Sequence, residues 1–263
     1  LTLIGSSPYD SITKRLTGER ATFAPDYNDA LQKYGHVVAS IAERLRTRYL
    51  DLNEPLAELI SEAKRRDFMA ARGIIPDCTH PCSAAHLIMA AQLFQAWNGD
   101  PVVSKVSVNA RSRSITETVH ASAQMLDSLR WRQTEQALPY PTPSDSLSKF
   151  VLSIEPFQRE QNQEILQVTN LLPGNYELTI DGKPISVFSA QALRDGVNLA
   201  DYETPMMALA REVERLVSKR VLRSFNRWQA IRNSNPTELA NELHAASEPI
   251  ELELNRTLAS RPY

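Results

Sequence analysis

Short apolar runs alternate with amphipathic stretches over the first hundred residues. Residues 1–4 form a continuous apolar run that stops at Gly5-Ser6-Ser7-Pro8, and residues 49–52 form a second short run. Runs of this kind are typical of buried parallel strands. Apolar residues recur at helical spacing from about 28 to 48, from 53 onward and from 83 to 97. This order of strands and helices predicts an α/β unit.

Polar residues predict where these helices begin. Asn28, Asn53 and Ser83 are each expected to cap a helix, because their side chains can accept a hydrogen bond from a free backbone N–H. Asn98-Gly99 is expected to end the third helix. The inward face of the first helix is expected to carry six apolar or aromatic residues, which are Leu31, Tyr34, Val38, Ile41, Ala42 and Leu45.

The pattern changes after Asp100-Pro101. Residues 102–108 alternate apolar and polar side chains and predict a half-exposed strand, whereas 112–132 fit no single pattern. Asp181-Gly182 between alternating runs predicts a hairpin, because both turn residues need positive φ. Thr204 and Pro205 predict the start of a long helix to about Asn233, and Asn235-Pro236 the start of another to about 246.

Composition and charge narrow the functional classes. The chain has 263 residues, 42% of them hydrophobic, and a formal net charge of −2. This balance does not favour nucleic acid or an anionic membrane as the main partner. No apolar run approaches the length of a membrane span, and no glycine-rich phosphate loop is present.

One loop carries a recognisable chemical pattern. Asp77 lies three residues before His80, with Pro81 and an apolar helix directly after it. This spacing puts the carboxylate within reach of the imidazole Nδ1, which is the base-and-orienter half of a Ser-His-Asp hydrolase. His86 is expected to be a packed core histidine. The remaining histidines are expected to be surface or structural residues, and they are His36, His120 and His244.

The order of motifs over residues 1–99 resembles that of the SGNH (GDSL-type) hydrolases. The resemblance rests on Asp77-x-x-His80-Pro81 and on His86-x-x-Met89-Ala90 downstream. Supporting matches upstream are Pro8-Tyr9-Asp10, Tyr27-Asn28-x-x-Leu31-x-x-Tyr34 and Tyr49-Leu50-Asp51-Leu52-Asn53. Residues 166–233 also resemble an extension of some bacterial members, with Pro173-Gly174-x-Tyr176, Gly196-Val197-Asn198 and Thr204-Pro205-Met206 as matching positions.

The resemblance implies a fold and an activity. The expected fold is the C-terminal part of a three-layer α/β/α, flavodoxin-like hydrolase, followed by a small β-hairpin region and long C-terminal helices. The implied activity is hydrolysis of carbohydrate or lipid O-acyl esters, or of a small-molecule ester, with His80 as base, Asp77 as orienting acid and no cofactor or metal. The resemblance also implies a secreted or periplasmic location, and it leaves the oligomeric state open.

Two segments look like the nucleophile and oxyanion motifs of this family without matching them. Gly5-Ser6-Ser7 resembles Gly-Asp-Ser, but Pro8 would break the helix that a nucleophile turn opens. Tyr27-Asn28-Asp29 resembles Gly-x-Asn-Asp, but it follows a polar segment and not a strand. We therefore expect the nucleophile to lie upstream of residue 1, and we expect residues 1–263 alone to be inactive.

The expected domains follow from this interpretation. They are the C-terminal part of the hydrolase domain at 1–99, a β-rich extension at 100–200 and a helical segment at 201–263.

Two alternatives stay open at this point. The chain could be a non-catalytic binding module on a degenerate hydrolase scaffold. Cys78, His80 and Cys82 could also form a zinc site, although three ligands close in sequence are weak evidence. The two cysteines could be joined in a disulfide or remain as separate thiols.

Overall fold

A computed structural model describes residues 1–11 and 26–233, together with Pro249, Leu252, Glu253, Asn255 and Arg256. The chain forms two compact units. The first unit contains residues 1–101 and 142–161, and the second contains 102–141 and 162–263. The predicted start of a helix at Asn235-Pro236 and the residue His244 lie outside the described residues.

The first unit contains a short parallel sheet with helices around it. Strands β1 (Thr2–Ile4) and β2 (Arg48–Leu50) pair in parallel, with Thr2 opposite Arg48 and Ile4 opposite Leu50. Both strands agree with the apolar runs in the sequence. The helices of this unit are α1 (Tyr27–Arg44), α2 (Asn53–Arg66), α3 (Phe68–Ala71), α4 (Ser83–Ala96), α5 (Ser146–Ile154) and α6 (Phe157–Gln161).

The apolar face of α2 forms the centre of the first core. Leu56 and Leu59 are fully buried and belong to the same cluster as Ile74, Ile75 and Leu87. Ile74 and Ile75 lie in the segment between α3 and α4, so the base of the Asp77–His80 loop is anchored in this core.

The predicted inward face of α1 is only partly correct. Ala42 is buried, but Tyr34 and Leu45 are 70% and 62% exposed. The hydrophobic pattern therefore identified the helix correctly, but it overestimated how much of the helix is covered by the described residues.

The helix caps predicted in the first unit, at Asn28, Asn53 and Ser83, are wrong. Helix α1 begins at Tyr27 and α2 at Asn53, and neither start has a side-chain cap hydrogen bond. Asn28 and Asn53 instead bond to each other, with N···O distances of 3.0 and 3.1 Å. Ser83 is the first residue of α4 and Cys82 holds the cap position, also without a side-chain bond. Asn98, with φ of 58°, does follow the end of α4 as predicted.

The second unit is built around a mixed sheet. Its strands and helices are β3 (Val102–Asn109), β4 (Ser114–Val119), β5 (Ala121–Asp127), β6 (Arg130–Glu135), β7 (Gln163–Thr169), β8 (Asn175–Ile180), β9 (Lys183–Ser189), α7 (Ala190–Asp195), β10 (Val197–Asn198), a 3-10 turn (Leu199–Asp201) and α8 (Pro205–Asn233). The strand order is β10-β7-β3-β4, and the β3–β7 pair is parallel.

Strand β3 is more buried than its sequence predicts. It lies between β7 and β4, and Val106, Ser107 and Val108 are all buried. Alternation predicts a half-exposed strand only if the polar residues face solvent, and Ser107 does not. Its hydroxyl instead lies within hydrogen-bond distance of Glu117 and Gln167 on the flanking strands, and its one hydrogen is shared between these two acceptors.

Two local predictions in this unit are confirmed. Asp181 and Gly182 have φ of 51° and 74° between the paired strands β8 and β9. The Thr204 hydroxyl accepts a 3.0 Å bond from the Met207 N–H at the start of α8, which continues to Asn233.

The apolar stripe of α8 packs over only half its length. Met207, Ala210 and Leu216 are buried, whereas Val217 and Val221 are 41% and 61% exposed. The C-terminal part of this helix therefore exposes apolar side chains, whereas its first three turns pack in the second unit.

The boundaries of the two compact units differ from the boundaries of the domain ranges expected from the sequence. Residues 142–161 lie inside the expected β-rich range but fold as α5 and α6 with the first unit. The ranges 1–99, 100–200 and 201–263 remain a prediction. Among the described helices, none combines the length and apolar character required to cross a membrane.

Candidate active site

Asp77 and His80 meet as their spacing predicts. The His80 Nδ1–H donates to Asp77 Oδ2 across 2.5 Å. The other carboxylate oxygen, Oδ1, accepts the backbone N–H of Thr79 at 3.0 Å and that of His80 at 2.7 Å. Asp77 therefore holds both the ring and the backbone of the residue that it orients.

The backbone of this turn depends on Cys78. Cys78 has φ of 72°, in the left-handed region that few non-glycine residues adopt. Its side chain is 1% exposed, and its N–H donates to the Ile75 carbonyl at 3.1 Å. The side chain of Cys78 is therefore buried beneath the turn, whereas Asp77 and His80 lie at the surface.

These hydrogen bonds also set the charge of the carboxyl group. The imidazole of His80, followed by the N–H groups of His80 and Thr79, holds the pKa of Asp77 well below its ordinary value. Asp77 is therefore an anion across the neutral and mildly acidic range, as an orienting carboxylate requires.

The second ring nitrogen of His80, Nε2, is exposed and can accept a proton. The side chain is 81% exposed, and Nε2 makes no hydrogen bond with any residue that the structure describes. With Nδ1 protonated toward Asp77, Nε2 carries the free lone pair. The ring can therefore accept a proton from a group that comes within hydrogen-bond distance of Nε2.

The loop after β1 lies beside this turn. The Asp10 N–H donates to the Cys78 carbonyl at 3.1 Å, and the Asp10 carboxylate pairs with Lys64 of α2 at 2.9 Å. The Tyr9 N–H donates to Asn28 Oδ1 at 2.9 Å. These contacts join residues 19 to 68 positions apart, so they have no local signal in the sequence.

The look-alike motifs do not bond to His80. Ser7 is half-buried in the loop after β1 and makes no hydrogen bond to the imidazole. Asn28 is used for the amide pair with Asn53 and the contact with Tyr9. The part of the chain that the structure describes therefore shows no nucleophile on Nε2.

Of the other described histidines, two behave as expected. His36 is exposed, and the His120 Nδ1–H donates to the Val102 carbonyl, a structural contact. The expectation for His86 is wrong, because its side chain lies at an exposed position of α4. Ala84, Ala85 and Leu87 supply the buried face there instead.

The cysteines do not gather around His80. Both are free thiols, with Cys78 buried and Cys82 half-buried. The described residues contain no group of three or more His, Cys, Asp and Glu side chains arranged to hold a metal ion. The zinc hypothesis therefore gains no support from the geometry.

Comparison with known proteins identifies a solved structure that shares the fold of this chain. No protein-family model matches the chain, and no curated protein matches its sequence. A solved structure described as "BT4096 a gut microbial diltiazem-metabolizing enzyme" matches with a TM-score of 0.76 and 19% identity, covering 97% of this chain and 68% of that chain. The two proteins share a fold. The predicted mixed α/β class, with its long C-terminal helix, is confirmed.

Proposed function

We propose that this chain is part of an SGNH-type serine ester hydrolase, with His80 as general base and Asp77 as its orienting acid. The observation that carries the proposal is the exposed imidazole whose Nδ1 bonds to Asp77 and whose Nε2 is free of described partners. A structural Asp–His contact would need no free, solvent-facing nitrogen.

The fold comparison supports an enzyme. The solved structure with the shared fold is described as an enzyme that metabolizes diltiazem. We extend enzyme activity to this chain because the Asp77–His80 pair supplies the base that ester hydrolysis needs. The proposed substrates are O-acyl esters of carbohydrates, lipids or small molecules.

In the proposed acylation step, a serine hydroxyl attacks the ester carbonyl while His80 Nε2 takes its proton. The charge of Asp77 stabilises the imidazolium that forms. The imidazolium then gives this proton to the leaving alcohol, and the acyl group stays on the serine. In deacylation a water molecule loses its proton to Nε2 as it attacks the acyl-serine, and the serine recovers a proton when the carboxylic acid leaves.

We place the nucleophile N-terminal to residue 1. The described parallel sheet has only β1 and β2, whereas parallel strands normally lie in larger sheets that are covered on both faces. Apolar side chains on and beside β1 are exposed, since Ile4 and Trp97 are 48% and 53% exposed. Further strands at this edge would cover them and bring in a serine-bearing loop.

A fluorophosphonate probe tests this function in the natural full-length protein. The probe reacts with an activated serine, and mass spectrometry of the labelled peptide identifies that residue. We expect a labelled serine upstream of residue 1, normal labelling in S7A and strongly reduced labelling in H80A. Labelling at Ser7 would contradict the placement of the nucleophile. A protein that takes no label and cleaves no ester would instead support a non-catalytic binding module.

A further inference from the structure

The Asp77–His80 pair lies at the surface, where little packing keeps the two side chains in position. Asp77 and His80 are 46% and 81% exposed, so few side chains pack against them. A general base must nevertheless stay within a fraction of an ångström of its working position. The turn must therefore be held from its buried side.

On that side the turn rests on the loop after β1. The Cys78 carbonyl, in the middle of the turn, accepts the Asp10 N–H at 3.1 Å. Asp10 is fixed in turn by Lys64, whose ammonium lies 2.9 Å from Asp10 Oδ1. The two side chains are only 5% and 20% exposed, so this ion pair is far better shielded than the surface pairs of α2.

The same loop is tied to two helix starts. The Tyr9 N–H donates to Asn28 Oδ1, and the Asn28 and Asn53 amides exchange two hydrogen bonds. Asn28 lies in the first turn of α1 and Asn53 is the first residue of α2. The loop is thus held by α1 through Asn28 and by α2 through Lys64.

We propose that the Lys64–Asp10 ion pair is a positioning element for the catalytic turn, acting through the Asp10 N–H and the Cys78 carbonyl on the orientation of His80. This inference rests on the proposed function for its effect on rate. Removing the Lys64 charge takes a 2.9 Å ion-pair contact away from a carboxylate that is only 5% exposed, and removing the Asp10 charge takes the same contact away from the ammonium. In either case the loop shifts as the remaining charge is solvated differently. The shift moves the Cys78 carbonyl, and with it the turn that presents the imidazole.

The test uses the natural full-length protein and variants on both sides of the pair. D10N and K64M remove one charge each, and D10E and K64R keep it. E62Q is the matched control, because Glu62 forms exposed ion pairs with Arg65 and Arg66 on the same helix. For ester hydrolysis we expect D10N and K64M to lower kcat by about tenfold to a hundredfold with little change in KM. D10E and K64R are expected to recover most of the loss, and E62Q to match the wild type.

The second readout is the imidazole ¹⁵N spectrum of His80, which reports which ring nitrogen carries the proton. We expect the neutral ring to be protonated at Nδ1 in the wild type and in E62Q, and to be a mixture of tautomers in D10N and K64M. If D10N and K64M lower only the melting temperature, with kcat and the ring spectrum unchanged, the pair is merely structural and the proposal is overturned.

This design separates the two proposals. If H80A hydrolyses esters as fast as the wild type, the proposed function fails, whereas the ¹⁵N comparison still reports whether Asp10 and Lys64 orient the ring. If D10N does not fold, the comparison of K64M with K64R decides the outcome, because K64R keeps the charge. Equal rates and equal ring spectra in these two variants would overturn the positioning role.

Discussion

At Asp77, one carboxylate accepts three N–H groups of its own turn. One oxygen receives the Nδ1–H of His80, and the other receives the backbone N–H groups of Thr79 and His80. A short segment thereby fixes a ring that has little packing around it. Because all of these hydrogen bonds lie within one turn, the three-residue spacing was enough to predict the contact from the sequence.

Replacing Asp77 by Asn tests the orienting role. The amide can donate as well as accept, so it no longer selects the tautomer with a proton on Nδ1. In the natural full-length protein we expect D77N to lower kcat for an ester by on the order of 10⁴, with KM nearly unchanged. Steady-state kinetics measure this loss. A D77N enzyme that keeps most of its kcat would rule out an orienting role.

Replacing Cys78 by Val tests the strained position. A β-branched side chain fits poorly at φ of 72°, and the site is fully buried. We expect C78V to lower the free energy of unfolding by about 1–3 kcal/mol, measured by denaturant titration. C82V is the matched control, because Cys82 has extended backbone with φ of −70° and ψ of 171° and is half-buried. Equal losses in the two variants would contradict the strain argument.

Residues whose partners lie close in sequence were the predictable ones. Asp77 and His80 lie three positions apart, and Thr204 lies three from Met207. Asn28 and Asn53 were misassigned as helix caps because their actual partner lies 25 positions away. The left-handed backbone at Cys78 could not be predicted, since nothing in the residue type favours it.

Among the elements, β6 and β7 bring two carboxyl groups together in the second unit. Glu164 is 1% exposed and neither of its oxygens accepts an N–H or O–H from the described residues. Glu135 accepts the Ser104 hydroxyl at 2.8 Å. Burial, followed by the nearby Glu135 carboxyl, raises the pKa of Glu164 far above its ordinary value of 4.5.

This pair predicts a pH dependence of stability. The unfolded chain gives up the Glu164 proton near pH 4.5, whereas the folded chain holds it to higher pH. Folding therefore requires a bound proton above that pH, and the contribution to stability is full below pH 4.5 and falls as pH rises. We expect the melting temperature to decrease from pH 5 toward pH 9 in the wild type and much less in E164Q.

The control for this experiment is E117Q. Glu117 is an exposed carboxylate on β4 that pairs with Lys105 at 2.6 Å, so its removal leaves the buried pair intact. We expect E117Q to keep the pH slope of the wild type. If E164Q and the wild type lose stability in parallel as pH rises, Glu164 does not hold a proton in the folded state.

Elements with strong local signals were predictable, and the others were not. The Asp181-Gly182 hairpin and the start of α8 were located because turn and cap residues act within a few positions. Residues 112–132 remained ambiguous because β4, β5 and β6 are short and half-exposed, with mixed polar faces. The parallel pairing of β3 with β7 joins residues about 60 positions apart and leaves no local pattern.

For the whole molecule, the alternation of apolar runs and amphipathic stretches was enough to predict the class of fold. The mixed α/β class agrees with the structure and with a solved enzyme of 19% identity. Residues 142–161 belong with the first unit because Val151 and Phe157 pack in the core that contains Leu56 and Ile74. Such a return of the chain to an earlier core leaves no local pattern in the sequence.

We propose His80 as the general base of ester hydrolysis. The most direct measurement is the turnover of p-nitrophenyl acetate by the natural full-length protein, compared between H80A and H86A. His86 is an exposed histidine on the following helix, so H86A controls for the loss of an imidazole nearby. We predict that H80A loses on the order of 10⁴ or more in kcat while H86A retains wild-type turnover. Equal turnover by the two variants would contradict the claim.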